Sequence, residues 1–233
     1  MWDIDAEREV VGLSLRDLLN PMSVDEFRRD VFSQKHVHLS GDSDRFAHLL
    51  SKETLFQHVY SDAYDVRLLK VVRDDKDISP REFIEQGPSG HLRVKQANLQ
   101  VLLDGGAALI IPHLQRYNKK LWDVCGLLGE LVAAEVSVNV YFGNPKSVGF
   151  GMHVDHHDVF VLQVSGSKLW ALAEPTCAAP LAVPEHMGPP PKEILWEGEL
   201  RQGDALYLPR GFWHGAKAMD EGPTLHLSFG VQP

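Results

Sequence analysis

From residue 135 onward, hydrophobic and polar side chains alternate in short runs that glycine, proline and acidic turns separate. Alternation with a period of two predicts β-strands with one apolar and one polar face. The predicted strands are 135–142, 157–166, 167–175, 194–200, 205–209, 212–218 and 224–231. We expect Ser165 and Gly166 to join the second and third of these as a hairpin. Short strands at such close spacing favour an antiparallel barrel or sandwich.

The first half of the chain is predicted to be richer in helices. Residues 23–32 begin with a serine that can cap a helix, and residues 113–135 repeat apolar side chains near helical spacing. Further short elements are expected as a strand at 35–41, two helices in 43–60, a strand at 65–74 and a helix at 79–87. The proline-rich stretch 177–193 is expected to be an irregular surface loop.

Length and composition fit one domain. The chain has 233 residues, of which 44% are hydrophobic and 24% charged, an ordinary balance for a globular protein. We expect residues 1–134 to form a helix-rich lead-in and outer layer, and residues 135–233 to form the core strands of a barrel.

The formal net charge is −9 and no Lys/Arg-rich run occurs, which argues against nucleic acid or an anionic membrane as a main partner.

Cysteine content and hydropathy restrict the class further. The two cysteines, Cys125 and Cys177, lie far apart, unlike those of a disulfide scaffold or a zinc finger. No stretch approaches 18 apolar residues, and the N-terminal residues lack the apolar region of a signal peptide. A cytoplasmic enzyme or binding domain is therefore expected.

The segment 149–170 places histidine, aspartate and lysine in a mostly apolar run. Burying such groups costs roughly several kcal/mol each unless they are paired or bind a metal. His153 and Asp155 lie two residues apart, so an extended chain places both on one face. With the distal His214 they form a set that suits non-haem Fe(II) and leaves coordination positions open. The alternative is a polar surface loop in which Asp155 acts as a cap.

Three predicted strands carry polar faces. These faces comprise Ser137, Asn139 and Tyr141; Lys168 and Trp170; and Thr224, His226 and Ser228. Periodicity alone favours faces that meet solvent, as in many antiparallel sheets. The alternative is that they line the interior of a barrel. There Lys168 would be an internal cation for a carboxylate, with hydrogen bonds from Tyr141 and Asn139.

These motifs together resemble a known family. The string His153-x-Asp155-x-x-Asp158-x-Phe160-x-x-Gln163-x-x-Gly166-x-Lys168-x-Trp170 is similar to the signature of JmjC-type oxygenases of the cupin superfamily. The similarity is greatest to the ribosomal-protein hydroxylases. The segments "MSVDEFRRDVFSQKHVHLSG" (22–41), "NVYFGNP" (139–145) and "GDALYLPRGFWHGAKA" (203–218) resemble the same branch in order and spacing.

The resemblance implies a mainly β fold with added helices. This fold is a double-stranded β-helix, also called a jelly-roll or cupin barrel, with the helical N-terminal half packed outside. By the same resemblance, His153, Asp155 and His214 bind Fe(II) and are the catalytic centre, and Lys168 pairs with the distal carboxylate of 2-oxoglutarate. The further co-substrate candidates are Tyr141 and Asn139, by family position, and Thr224, His226 and Ser228, by strand face.

The implied activity is that of an Fe(II)- and 2-oxoglutarate-dependent dioxygenase. It uses O₂ to hydroxylate an unactivated C–H bond of a protein, peptide or amino-acid derivative. Relatives that act on ribosomal proteins carry a helical dimerisation region and a winged-helix module after the barrel. We expect this chain to lack both, so a ribosomal substrate, a monomer and a homodimer all stay open.

Two other functions are compatible with a cupin barrel. One is a metalloenzyme that does not use 2-oxoglutarate, and the internal Lys168 argues against it. The other is a metal-free binding module, and the intact His153, Asp155 and His214 set argues against that.

Overall fold

The computed structural model describes residues 5–88, 90–182, 188–219 and 222–232. The helices in these ranges are α1 (Leu15–Leu19), α2 (Val24–Asp30), α3 (Lys52–Val59), α4 (Pro80–Phe83), α5 (Gln96–Asp104) and α6 (Lys119–Val132). The strands are β1 (Val37–Leu39), β2 (Lys70–Arg73), β3 (Lys76–Asp77), β4 (Ile84–Gln86), β5 (Leu92–Val94), β6 (Ala108–Pro112), β7 (Val136–Gly143), β8 (His153–Val154), β9 (Asp158–Ser165), β10 (Lys168–Ala173), β11 (Trp196–Leu200), β12 (Ala205–Leu208), β13 (Trp213–Ala218) and β14 (Thr224–Val231).

Most strands belong to two antiparallel sheets. The major sheet has the order β1-β12-β9-β14-β7-β6-β2-β3, and the minor sheet has the order β11-β10-β13-β8. From β7 onward the chain passes repeatedly between them, with β7, β9, β12 and β14 in the major sheet and β8, β10, β11 and β13 in the minor one. Eight strands divided in this way form a jelly roll. The predicted double-stranded β-helix is therefore confirmed.

The N-terminal part of the chain does more than cover the barrel. It supplies β1, β2, β3 and β6 to the major sheet, where β1 pairs with β12 and β6 pairs with β7. Strands β1 and β2 fall within the predicted strands 35–41 and 65–74, whereas β3 and β6 were not predicted. Together these N-terminal strands widen the major sheet on both sides of the barrel.

The apolar faces of β7 and β14 pack against the N-terminal helices. Helix α6 contacts both strands, and its Leu121, Leu128 and Leu131 are buried. The apolar cluster that includes these leucines also contains Val138, Val140, Phe142, Leu225, Leu227 and Phe229. The alternation in the two strand sequences therefore identifies the core-facing side correctly.

The predicted hairpin through Ser165 and Gly166 is wrong. Strand β9 pairs with β12 and β14, whereas β10 pairs with β11 and β13, so the turn carries the chain from one sheet to the other. Gly166 has φ +64°, and a Cβ at this position would lie 2.4 Å from the Pro223 carbonyl oxygen. Glycine meets both demands because it lacks a Cβ.

Local expectations in the first half are only partly correct. Within 43–60 only α3 forms, and it begins after Ser51, whose backbone is extended and whose hydroxyl accepts a hydrogen bond from the Thr54 N–H. The helix expected at 79–87 ends at Phe83, and β4 then pairs with β5. Helix α5 was not predicted, although its buried Leu99 and Leu103 have helical spacing.

The proline-rich loop is described in part. Of the loop expected at 177–193, residues 183–187 lie outside the described residues, and the rest forms no helix or strand. Among the residues that the structure describes, no helix combines the length and the apolar composition needed to cross a bilayer.

Candidate metal centre

The three predicted metal ligands converge at the end of the minor sheet. His153 on β8 lies directly opposite His214 on β13, and Asp155 follows β8. One ligand atom of each residue lies within 4.8 Å of those of the other two, and His214 Nε2 is 3.5 Å from Asp155 Oδ2. Two imidazoles and one carboxylate at this spacing suit a divalent first-row metal and leave coordination positions open.

Backbone carbonyls orient both histidine rings. His153 Nδ1 is 2.8 Å from the Gly151 carbonyl oxygen, and His214 Nδ1 is 3.1 Å from that of Phe212. A carbonyl only accepts hydrogen bonds, so each Nδ1 carries a proton and donates it. This leaves the Nε2 atoms as the potential metal ligands, as in many histidine metal sites.

Asp155 supplies the cluster with one carboxylate whose ionised form is favoured. Burial raises the pKa of Asp155, but the hydrogen bond and charge of His214, with the charges of His157 and His153, bring that pKa below its usual range. Burial lowers the pKa of His214, and Asp155 more than offsets this, so its pKa is raised. Burial and repulsion from His214 lower the pKa of His153. An ionised Asp155 beside a neutral His153 is a suitable donor pair for a metal.

Lys168 lies inside the barrel on β10. Its side chain is buried, and no carboxylate among the described residues lies close enough to offset that burial, which lowers its pKa to about 8. Its Nζ is 5.9 Å from the centre of the Tyr141 ring. A buried ammonium group without a counter-ion is costly, so this position favours binding of an anion.

Lys168 and the metal cluster line one cavity. The polar residues of its wall are Tyr141, His153, Asp155, Lys168, Trp170, His214, His226 and Ser228. Tyr141 and His226 lie opposite each other on β7 and β14, and their rings stack at 4.6 Å. The polar strand faces therefore line the barrel interior, and the alternative favoured by periodicity, faces that meet solvent, is wrong for these residues.

Two buried nitrogens at this cavity have no hydrogen-bond partner within the described protein. They are Trp170 Nε1 and His226 Nδ1. Burial and the charge of Lys168 hold the pKa of His226 well below its ordinary value, so the ring is neutral. A buried polar group without a partner costs about 1–3 kcal/mol. The cavity is thus better suited to a polar ligand than to an apolar one.

Two of the proposed co-substrate residues do not line the cavity. The Thr224 hydroxyl accepts a hydrogen bond of 2.8 Å from Gln163 Nε2. The Asn139 side chain bonds to Tyr141, whose pKa is raised by burial. Asn139 therefore acts on the cavity through Tyr141, and Thr224 contributes to the packing of β9 against β14.

Several residues of the cavity wall were not predicted as part of a site. They are Ala108, Ile110, Gly149, Phe150, Val159, Gly215 and Ala216. Trp170, which shares a predicted strand face with Lys168, lies in the wall between His214 and His226. Its place two residues after Lys168 on the same strand face was the signal available in the sequence. The other residues are apolar or glycine and carry no chemical signal.

Comparison with known proteins gives consistent matches. The family model for the JmjC domain matches residues 110–233, more than half of the chain. A bifunctional lysine-specific demethylase and histidyl-hydroxylase NO66 from Drosophila willistoni is 28% identical over 223 residues, 92% of this chain and 28% of that protein. Ribosomal oxygenase 1 from Rattus norvegicus is 33% identical over 135 residues, 54% of this chain and 22% of that protein.

A solved structure has the same fold. The ribosomal oxygenase YcfD from Escherichia coli, in complex with cobalt and 2-oxoglutarate, has a TM-score of 0.65 at 20% identity over 91% of this chain and 52% of that chain. This chain spans 28% and 42% of the first two curated relatives that it matches. It therefore corresponds to one part of those longer proteins.

Proposed function

This chain belongs to the JmjC domain family, and from that premise we propose that it is an Fe(II)- and 2-oxoglutarate-dependent hydroxylase. One observation carries the proposal. Lys168, a buried cation without a carboxylate partner among the described residues, shares a cavity with His153, Asp155 and His214. A metal-chelating 2-oxo acid with a second carboxylate at its far end would satisfy both ends of that cavity.

The spacing along the strands fits an elongated diacid. Lys168 lies opposite Ala218, four residues beyond His214 on β13. Four residues of strand span about 13 Å. The Lys168 and His214 side chains both line the same cavity. A ligand that contacts both residues would therefore have to be elongated, as a five-carbon diacid is.

Each polar group has a defined role in this proposal. His153, Asp155 and His214 hold Fe(II), and Lys168 neutralises the distal carboxylate with a charge-assisted hydrogen bond. When bound, Fe(II) and 2-oxoglutarate supply the oxidation, in which one O₂ atom enters the hydroxylated product and the other enters succinate as CO₂ is released. Tyr141, protonated and bonded to Asn139, is placed to donate to the co-substrate.

The apolar wall serves to exclude water. Ile110, Phe150 and Val159 line the cavity together with the indole of Trp170. A dry wall strengthens the interaction between Lys168 and an anion, and it protects a reactive centre from side reactions. The hard chemistry belongs to the metal and co-substrate, whereas the chain orients them.

A protein side chain is the proposed prime substrate. Its support is that relatives are named as a histidyl-hydroxylase and as ribosomal oxygenases. Because this chain spans less than half of those proteins, a peptide or amino-acid derivative should be included in any screen. A cytoplasmic location stays a prediction from composition.

Turnover of a peptide library tests the proposal. We expect added Fe(II), 2-oxoglutarate and ascorbate to give a mass gain of one oxygen in a histidine-containing peptide, with succinate formed in step. Product at full rate without 2-oxoglutarate would instead indicate a cupin metalloenzyme of another class. Failure to retain Fe(II) would indicate a metal-free binding module.

A further inference from the structure

We infer that Asp75, far from the metal cluster in sequence, is a positioning residue for the metal ligand His153; the inference rests on the proposed metal site. Asp75 lies in the turn between β2 and β3, outside the 110–233 region that the family model matches. Its carboxylate Oδ1 accepts a hydrogen bond of 3.1 Å from the Gly151 N–H. The Gly151 carbonyl in turn accepts the proton of His153 Nδ1 at 2.8 Å.

The β2–β3 turn is shaped to make this contact. Asp74 and Asp75 have φ +50° and +63°, and Arg73 pairs with Lys76 across them. Two left-handed residues joining paired strands match a type I′ hairpin turn, in which aspartate is well tolerated. The turn therefore projects its two backbone N–H groups and the Asp75 carboxylate toward the loop that leads to His153.

Three hydrogen bonds join the turn to the 147–151 loop. Asp74 N–H donates to the Val148 carbonyl at 3.2 Å, and Asp75 N–H donates to that of Gly149 at 3.0 Å. The third is the bond from Gly151 N–H to the Asp75 side chain. The first two depend only on the backbone, so a side-chain substitution can remove the third and leave them in place.

The Asp75 bond acts where the loop has the most freedom. Gly149 and Gly151 flank Phe150, and glycine has the widest choice of backbone angles. The direction of the Gly151 carbonyl sets the orientation of the His153 ring. The Gly151 N–H belongs to the Phe150–Gly151 peptide, so the Asp75 bond holds that peptide plane and limits how Gly151 can turn its carbonyl, and with it the orientation of His153 Nε2. At His214 the carbonyl partner is Phe212 rather than a glycine, and the Cβ of a phenylalanine already narrows the choice of backbone angles.

The expected effect is moderate. Side chains that bond directly to a metal ligand typically contribute about 10–100-fold in metal affinity. Asp75 acts one residue further away and is exposed, so water competes for the Gly151 N–H. We therefore expect loss of the Asp75 carboxylate to weaken metal binding by about three- to tenfold.

Co(II) titration followed by visible absorption tests the inference on the whole chain. The parent and His153→Ala are titrated first. A parent that binds no Co(II) would refute the proposed metal site itself, and so would a His153→Ala variant that binds Co(II) as tightly as the parent. With that site established, Asp75→Gly is compared with its neighbour Asp74→Gly. Glycine removes each carboxylate without strain at these left-handed positions.

We expect Asp75→Gly to bind Co(II) about three- to tenfold more weakly than Asp74→Gly, which stays within about twofold of the parent. Asp75→Asn keeps an acceptor oxygen and should restore most of the affinity. Without metal, Asp75→Gly and Asp74→Gly should unfold at the same temperature. The pair Asp75→Ala and Asp74→Ala repeats the comparison of Co(II) affinity. Equal Co(II) affinity of the two glycine variants, or an Asp75→Asn variant as weak as Asp75→Gly, would overturn the role of Asp75.

Discussion

The two faces of β14 are both buried, yet they differ in chemistry. One face presents Leu225, Leu227 and Phe229, each at most 1% exposed, to the apolar core under the helices. The other presents His226, 3% exposed, to a cavity shared with Lys168. The side chains of the first face carry no polar group, whereas His226 Nδ1 on the second has no hydrogen-bond partner among the described residues. Burial by itself therefore does not distinguish the two faces of β14, whereas the polar atoms that line the cavity do.

Removing a metal ligand should give the largest difference between the two faces, because activity should be lost while stability is kept. Asp155→Ala takes away the one anionic ligand of the cluster, so we expect iron-dependent turnover to fall below detection. The apolar face is untouched, so the far-UV circular dichroism and the cooperative unfolding of the variant should match those of the parent. Substantial remaining turnover would show that Asp155 does not bind the metal.

A substitution on the apolar face should have the opposite pattern. Phe229 is fully buried, and truncation of such a ring to alanine typically costs about 3–5 kcal/mol. Phe229→Ala should therefore unfold at a markedly lower denaturant concentration. Its affinity for 2-oxoglutarate, measured where the variant is still folded, should stay within a few-fold of the parent. A selective loss of that affinity with unchanged stability would contradict the division of the two faces.

Lys168→Ala should affect the polar face alone. Loss of one partner from a buried charge pair costs about 2–5 kcal/mol, or roughly 30- to several-thousand-fold in affinity. We expect the 2-oxoglutarate requirement to rise by at least about tens of fold, with Fe(II) binding little changed. Lys168→Arg should be milder because it keeps the charge. Unaltered 2-oxoglutarate affinity in Lys168→Ala would place the diacid elsewhere.

The same lysine should reduce the stability of the ligand-free protein. Burial lowers its pKa from 10.5 to about 8, which corresponds to about 3 kcal/mol of unfavourable free energy at pH 7. Lys168→Met should therefore be more stable than the parent at neutral pH. Since the folded chain releases this proton near pH 8 and the unfolded chain near 10.5, the difference should shrink as pH rises across that window. Denaturant titrations at pH 7 and 10 measure it, and equal stability at pH 7 would refute the cost of burying Lys168.

Much of the fold could be predicted because strand alternation has a fixed period. It identified the apolar sides of β7 and β14 and placed His153 and Asp155 on one face. Alternation cannot tell solvent from a polar interior, since both present polar side chains, and so the destination of Tyr141 and His226 needed the three-dimensional structure. The turn at Gly166 is wrongly predicted as a hairpin because a hairpin and a crossover between two sheets have the same local sequence pattern.

Contacts between distant segments lay beyond the sequence. Asp74 and Asp75 between two short β segments are typical of a tight turn, but nothing near them indicates what that turn contacts. Their partner, the 147–151 loop, lies more than 70 residues away along the chain. It contains no charged residue that would indicate a contact with an aspartate, although Lys146 directly precedes it. Helix α5 is a different case, since the helical spacing of Leu99 and Leu103 is visible in the sequence itself.

The most direct test combines both ends of the cavity in one anaerobic measurement. Fe(II) and 2-oxoglutarate added to the protein without O₂ should produce a weak visible charge-transfer band that needs both additions. We expect the band to be absent in Asp155→Ala and to need far more 2-oxoglutarate in Lys168→Ala. Fe(II) that binds to the parent without producing the band, even at saturating 2-oxoglutarate, would contradict a shared site for metal and co-substrate.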